Sequence, residues 1–163
     1  IDRMIEGGED LKFIARRLVI LASEDIGNAN PTALVLANTT FQSVNIIGYP
    51  ESRIILSQCV IYLATSPKSN ASYLAIKDAQ NIVKQTGDLS VPIAIRNAPT
   101  KLMKELGHGQ EYQYAHDFDN NFVTQEFLPN EIKGTRIYTP GNNSKENIFK
   151  KYLKNLWKDK YGY

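Results

Sequence analysis

Cysteine, long apolar runs and any strong excess of charge are all scarce in this chain of 163 residues. The one cysteine, Cys59, lies in the apolar run from Ile54 to Ile61. No disulfide framework can form, which agrees with a reducing compartment. No apolar stretch approaches the roughly 18 residues of a membrane span, and the N-terminus lacks a signal-peptide pattern. A net charge of +2 sets up no global field toward nucleic acid or membrane, so any such surface must be local. The phosphate-cradling loop G-x-x-x-x-G-K-[ST] is missing too. Gly134-Thr135-Arg136 has no loop before it, and Gly7-Gly8 runs into Glu9-Asp10, which would repel phosphate. No acidic pair closes an apolar strand to hold magnesium, and no arginine finger has a suitable setting. These absences predict that the chain neither binds nor hydrolyses ATP.

What remains is the composition of an ordinary globular protein, 42% hydrophobic and 22% charged. The length predicts one domain, residues 1–163, large enough for a proper core. There is no internal repeat and no low-complexity tract. The first residue is Ile rather than Met, inside an apparent helix, which points to an excised fragment.

The first two-thirds carry helical spacing. Ile1, Met4 and Ile5 form a stripe that stops at Gly7-Gly8. Asp10 is placed to cap a helix with Leu11, Ile14, Leu18, Leu21 and Ala22 on one face. Asn30-Pro31 reads as an N-cap and first helical position, ahead of Leu34, Ala37, Phe41, Val44 and Ile47, with Gly48 as the stop. From Glu51 to Ala64 the run is apolar on most sides, which predicts a central helix. Ser69 or Asn70 caps a fifth helix through Tyr73, Leu74, Ile76, Ala79 and Val83 to Gly87.

The last third differs. Val91-Pro92-Ile93 is extended, and a short helix runs from Pro99 to Leu106. Residues 111–129 show no helical period, and Phe122–Phe127 alternates loosely enough to pair with Thr135–Tyr138 in a hairpin. Ser144 caps a final helix with Ile148, Phe149, Tyr152, Leu153, Leu156 and Trp157 on one face. The predicted fold is mainly α, a bundle or array of about five to seven helices with a small irregular or β-hairpin appendage. A helical core spans about 1–107, the irregular segment 108–143, and the terminal helix 144–160.

Three sets of residues bear on chemistry. Glu24 and Asp25, at a helix boundary, suit helix capping, an inter-subunit role, cation binding or acid–base work, of which capping is the commonest use. His108, Glu111, His116, Asp117 and Asp119 are the one cluster with metal-ligand side chains, but the histidines lie far apart in an expected loop. Neither set predicts a catalytic or metal site. Lys68, Arg96, Lys101 and Lys104 flank polar turns near expected helix starts, where a phosphate backbone would be favoured, so they are candidate nucleic-acid contacts. Lys145, Lys150, Lys151, Lys154, Lys158 and Lys160 give the last helix a basic face opposite its aromatic one. That pattern fits a solvated surface, nucleic acid or a protein partner.

Four segments stand out between the apolar runs: Ser23–Pro31, Ser66–Ala71, Arg96–Lys101 and Gly107–Asp117. In this order they resemble the C-terminal part of the RarA/MgsA family of AAA+ ATPases, replication-associated recombination proteins related to the Werner-helicase-interacting ATPase. The resemblance runs from about Gly7 to Thr139 and marks Glu24, Asp25, Asn28, Pro31, Asn70, Asn97, Pro99, His116 and Asp117 as structural motif residues. It implies a non-catalytic oligomerisation module, with ATP and magnesium held in an N-terminal module of the parent and no cofactor here. It also implies a homotetramer in the cytoplasm at the nucleoid, acting on DNA at stalled forks near the single-strand-binding protein, with no membrane association. The terminal helix follows the family in general character only. A stand-alone helical adaptor for a protein partner and a small metal-dependent hydrolase built on His108–Asp119 are the alternatives.

Overall fold

The computed structural model describes residues 1–163, and its regular structure is helical throughout, with no strand. Seven α-helices form: α1 (Asp2–Glu6), α2 (Leu11–Leu21), α3 (Thr32–Ile47), α4 (Ser52–Ala64), α5 (Ala71–Thr86), α6 (Lys101–Glu105) and α7 (Ser144–Trp157). The mainly α class expected from spacing is what the chain adopts. Its residues gather into two compact units, one of Ile1–Lys77 with Tyr138–Phe149, the other of Asp78–Ile137 with Lys150–Tyr163.

The first unit is built on α2, α3 and α4, which pack against one another. α3 buries Ala33, Ala37, Thr40 and Val44, and α4 buries Ser52, Leu56, Cys59 and Leu63. Both sets recur at the three- and four-residue steps of one helix face, and small side chains on α3 let the neighbouring helix approach. α2 adds Ile14, Ala15 and Leu18. The buried stripe of α3 is therefore turned from the one its bulkiest residues predicted, and Leu34 and Ile47 are exposed. α4 is central on one face only. Asp10 caps α2 as expected, its carboxylate accepting the Lys12 N–H at 3.1 Å.

Two other caps are displaced. Asn30 does not cap α3 with its side chain; the amide donates instead to Tyr62 Oη at 3.1 Å and Ser66 Oγ at 3.0 Å. At α7 the cap is Asn143 rather than Ser144, with its Oδ1 accepting the Glu146 N–H at 3.0 Å. Along α7, Ile148 and Tyr152 are exposed, while Glu146 is buried.

The second unit holds α6, short 3₁₀ turns at Ile93–Ile95, Ala115–Asp117, Asp119–Asn121 and Asn130–Ile132, and extended linkers. The expected hairpin of 122–127 with 135–138 does not form. Side chains satisfy the backbone groups a ladder would use: Lys160 Nζ donates to the Thr124 and Gln125 carbonyls, both at 3.2 Å. Glu126 Oε1 accepts the N–H groups of Phe127 and Leu128. With those groups taken, pairing has nothing to gain.

Candidate functional site

In the first unit the first two motifs lock together. Ala22–Ile26 forms a π-helical turn and Gly27–Ala29 a 3₁₀ turn, so the chain leaves α2 through a widened and then a tightened coil. Ser69 N–H donates to the Asp25 carbonyl at 2.8 Å, and Asn28 Nδ2 donates to Ser72 Oγ at 3.1 Å. Gly27 sits at φ 49° and ψ −133°, and a Cβ there would lie 2.8 Å from the Ser69 carbonyl oxygen. Only glycine fits that turn. Ser69 Oγ caps α5 by accepting the Ala71 N–H at 3.2 Å, and the Asn70 carbonyl accepts from Leu74 N–H.

Glu24 and Asp25 do not cap helices. Both side chains are exposed, and Asp25 contributes through its backbone carbonyl. Pro31, also exposed, precedes the first turn of α3.

A buried carboxylate completes this junction, and the sequence reading passed over it. Glu146 is fully buried, with Tyr138 Oη donating to Oε1 at 2.9 Å and Asn143 Nδ2 donating to Oε2. Burial pushes its carboxyl up, but hydrogen bonds from Ser69, Asn143, Tyr138 and the Gly141 N–H outweigh that and hold it below the ordinary carboxylate value. Asn143-Ser144-Lys145-Glu146 has the spacing of a capping box, the signal that points to it.

In the second unit the third and fourth motifs meet. Gly109 N–H donates to the Ile93 carbonyl at 2.9 Å, and Thr100 Oγ1 caps α6 by accepting from Met103 N–H at 3.2 Å. Arg96 Nε donates to the Val91 carbonyl at 2.6 Å. A hollow of about 470 Å³ opens beside Arg96, Asn97, Gly109, Tyr112 and Phe127. Asn97 and Pro99 are exposed.

His116 and Asp117 lie on an exposed turn, where the His116 ring is tilted against Tyr114 at 5.1 Å. Tyr112 and Tyr114 of this loop, and Phe118 just after it, are all exposed. The loop closes on itself through backbone bonds, including Asp117 N–H to Tyr114 O at 2.9 Å, and leaves its rings outward. Nowhere do three His, Cys, Asp or Glu side chains gather as a metal-binding set.

Of the four basic candidates, Lys68 belongs to the first unit and Arg96, Lys101 and Lys104 to the second. Lys104 stands in the last turn of α6 rather than near its start, because the helix is only five residues long. Lys101 is almost fully solvated and pairs with Glu105 at 3.9 Å, a surface contact of negligible weight.

The same motif order now has an external counterpart. The family described as "MgsA AAA+ ATPase C terminal" matches residues 1–157. The chain belongs to that family. The chain is 44% identical over 154 residues to Replication-associated recombination protein A of Coxiella burnetii, covering 94% of this chain and 35% of the relative. The protein of the same name in Bacillus subtilis is 40% identical over 159 residues, 97% of this chain and 38% of that one. The ATPase WRNIP1 of Dictyostelium discoideum is 42% identical over 137 residues, 83% of this chain and 16% of its own length. The chain thus spans about a third of the length of these bacterial relatives. Family membership rests on the region that holds both motif junctions. No helix is long and apolar enough to cross a membrane.

Proposed function

We propose that this chain is the non-catalytic oligomerisation module of a RarA-like AAA+ ATPase that works in DNA replication and recombination at stalled forks. In this reading ATP and magnesium are bound by an N-terminal module of the parent. The module described here joins subunits into a homotetramer in the cytoplasm, at the nucleoid and near the single-strand-binding protein.

The observation that carries the reading is α4. One face buries Leu56, Cys59 and Leu63 in the core. Another presents Ile54 and Ile61, 73% and 62% exposed and two helical turns apart, at the wall of an open hollow of about 530 Å³ with Arg53, Ser57 and Gln58. Ile46 at the end of α3 is 83% exposed. Apolar patches of this kind, rimmed by polar side chains, mark interaction surfaces, and covering each isoleucine is worth about 1.5–3 kcal/mol. Closed symmetry is the usual way for identical copies to do so.

Light scattering coupled to size exclusion tests it. The chain should elute as an oligomer, and Ile54→Glu with Ile61→Glu should return it to monomer with an unchanged helical spectrum. A wild-type chain that stays monomeric at high micromolar concentration would sink the reading.

A further inference from the structure

We propose that the hollow between the third and fourth motifs binds one unstacked nucleotide of a single-stranded nucleic acid. The site lies wholly in the second unit, so it stands independently of the oligomerisation reading.

Its volume of about 470 Å³ falls in the range of small-molecule sites. Arg96 supplies the charge. Its Nε bond to the Val91 carbonyl fixes the guanidinium plane, and both terminal nitrogens remain unpaired. The chain's two ion pairs, Lys101–Glu105 and Lys160–Glu126, do not involve it, and no acidic residue lines the hollow. A fixed guanidinium with two free terminal nitrogens, each a double donor, matches a phosphate.

Tyr112 and Phe127 supply flat faces. They are 56% and 46% exposed, and neither ring stacks on the other. The ring that Phe127 meets is Trp157, edge-on with centroids 6.5 Å apart. The residue before Tyr112, Glu111, is held at φ 64°, in the left-handed region that non-glycine residues avoid. Backbone strain of that kind collects at ligand sites. Gly109, at φ 73°, brings the backbone close to the Arg96 carbonyl, where a Cβ would sit 3.4 Å away.

A base stacks on exposed rings whatever its identity, and the Asn97 amide offers polar contacts to its edge. Bases inside a duplex cannot reach such a hollow without leaving the stack. A peptide carboxylate would satisfy Arg96 but leave two ring faces to one side chain. A nucleotide engages charge and rings together.

The test is anisotropy of dye-labelled oligothymidylate of about ten nucleotides titrated with the 163-residue chain. Trp157 emission provides a second readout beside Phe127. Tyr112→Ala should weaken binding about tenfold, Tyr112→Phe should leave it unchanged, and Arg96→Lys should weaken it although the charge is kept. An abasic strand bound as tightly as oligothymidylate would overturn the proposal, as would equal affinity for duplex or an unaffected Tyr112→Ala. Thymidine monophosphate binding as tightly as the strand would reassign the hollow to a free nucleotide. Displacement of the strand by an acidic peptide that binds more tightly would reassign it to a protein partner.

Discussion

The two units of this chain hold themselves together by different means. The first buries Ile14 of α2, Ile26 of the π-helical turn and Leu56 and Leu63 of α4 almost completely, in one core with Ala33, Ala37 and Val44 of α3. The second buries one apolar side chain, Val123, with 7% exposed. In place of a core it has a ring cluster on Trp157, whose edge contacts reach Phe122 and Tyr161 with centroids 4.8 Å away. Lys160 ties carbonyls and a carboxylate around that cluster. A helical core spreads its stability over many contacts, whereas a lean unit concentrates it in a few side chains with several partners each. Large motif loops with exposed rings are tolerable in the second case, because little packing depends on them.

The sharpest way to break the contrast is a cavity in the first unit. Leu56→Ala removes a side chain with no exposure and should cost about 2–5 kcal/mol, read from urea unfolding followed by helical circular dichroism. Val123→Ala in the second unit should cost less than half as much. Equal losses from the two would show that the second unit has a core after all.

A smaller effect distinguishes the polar anchor of the first unit. Glu146 is ionised and hydrogen-bonded in the fold, with its carboxyl held below the ordinary 4.5. A depressed carboxyl stabilises fully above the unfolded value and loses that contribution as pH falls through the folded one. Glu146→Gln should therefore cost about 1–3 kcal/mol at neutral pH and flatten the acid limb of the stability profile. A variant with the same acid limb as the wild type would remove Glu146 from that role.

The same contrast explains what the sequence disclosed. Helices α2, α4 and α5 and the Asp10 cap were legible because apolar period and cap chemistry are local signals. The Ser23–Pro31 and Ser66–Ala71 motifs were visible as segments, but their partnership was not. Ser69 meets Asp25 across more than forty positions, and the fit of Gly27 against the Ser69 carbonyl exists only once the helices are packed. Glu146 stands beside lysines in the last helix, and its burial is not written in that charge pattern. In the second unit alternation suggested a hairpin at 122–127, and the ammonium that cancels it lies some 35 positions onward. The hollow beside Arg96 was hidden for the same reason, although Arg96 itself was singled out.

The smallest predicted effect is at Lys160, and it tests whether the second unit depends on single side chains. Its ammonium donates to the Thr124 and Gln125 carbonyls, pairs with Glu126 Oε2 at 3.3 Å, and lies 4.9 Å from the centre of the Trp157 ring. Burial pushes the Glu126 carboxyl up, but the Leu128 N–H, Lys160 and Tyr161 hold it below its ordinary value. Burial, and then the charge of Glu126, push the Tyr161 phenol up to about 12. Lys160→Met keeps the length of the side chain and removes every donor. Two carbonyls lose a partner and Glu126 loses its cation, while the partly solvated setting limits the damage to about 1–2 kcal/mol. Trp157 emission should shift, and its urea midpoint should fall while the helical signal of the first unit holds. The acid limb of the Trp157 transition should flatten as well, because a Glu126 carboxyl returned toward its ordinary value contributes less above it. Unchanged emission and midpoint would mean that the ring cluster alone holds the unit.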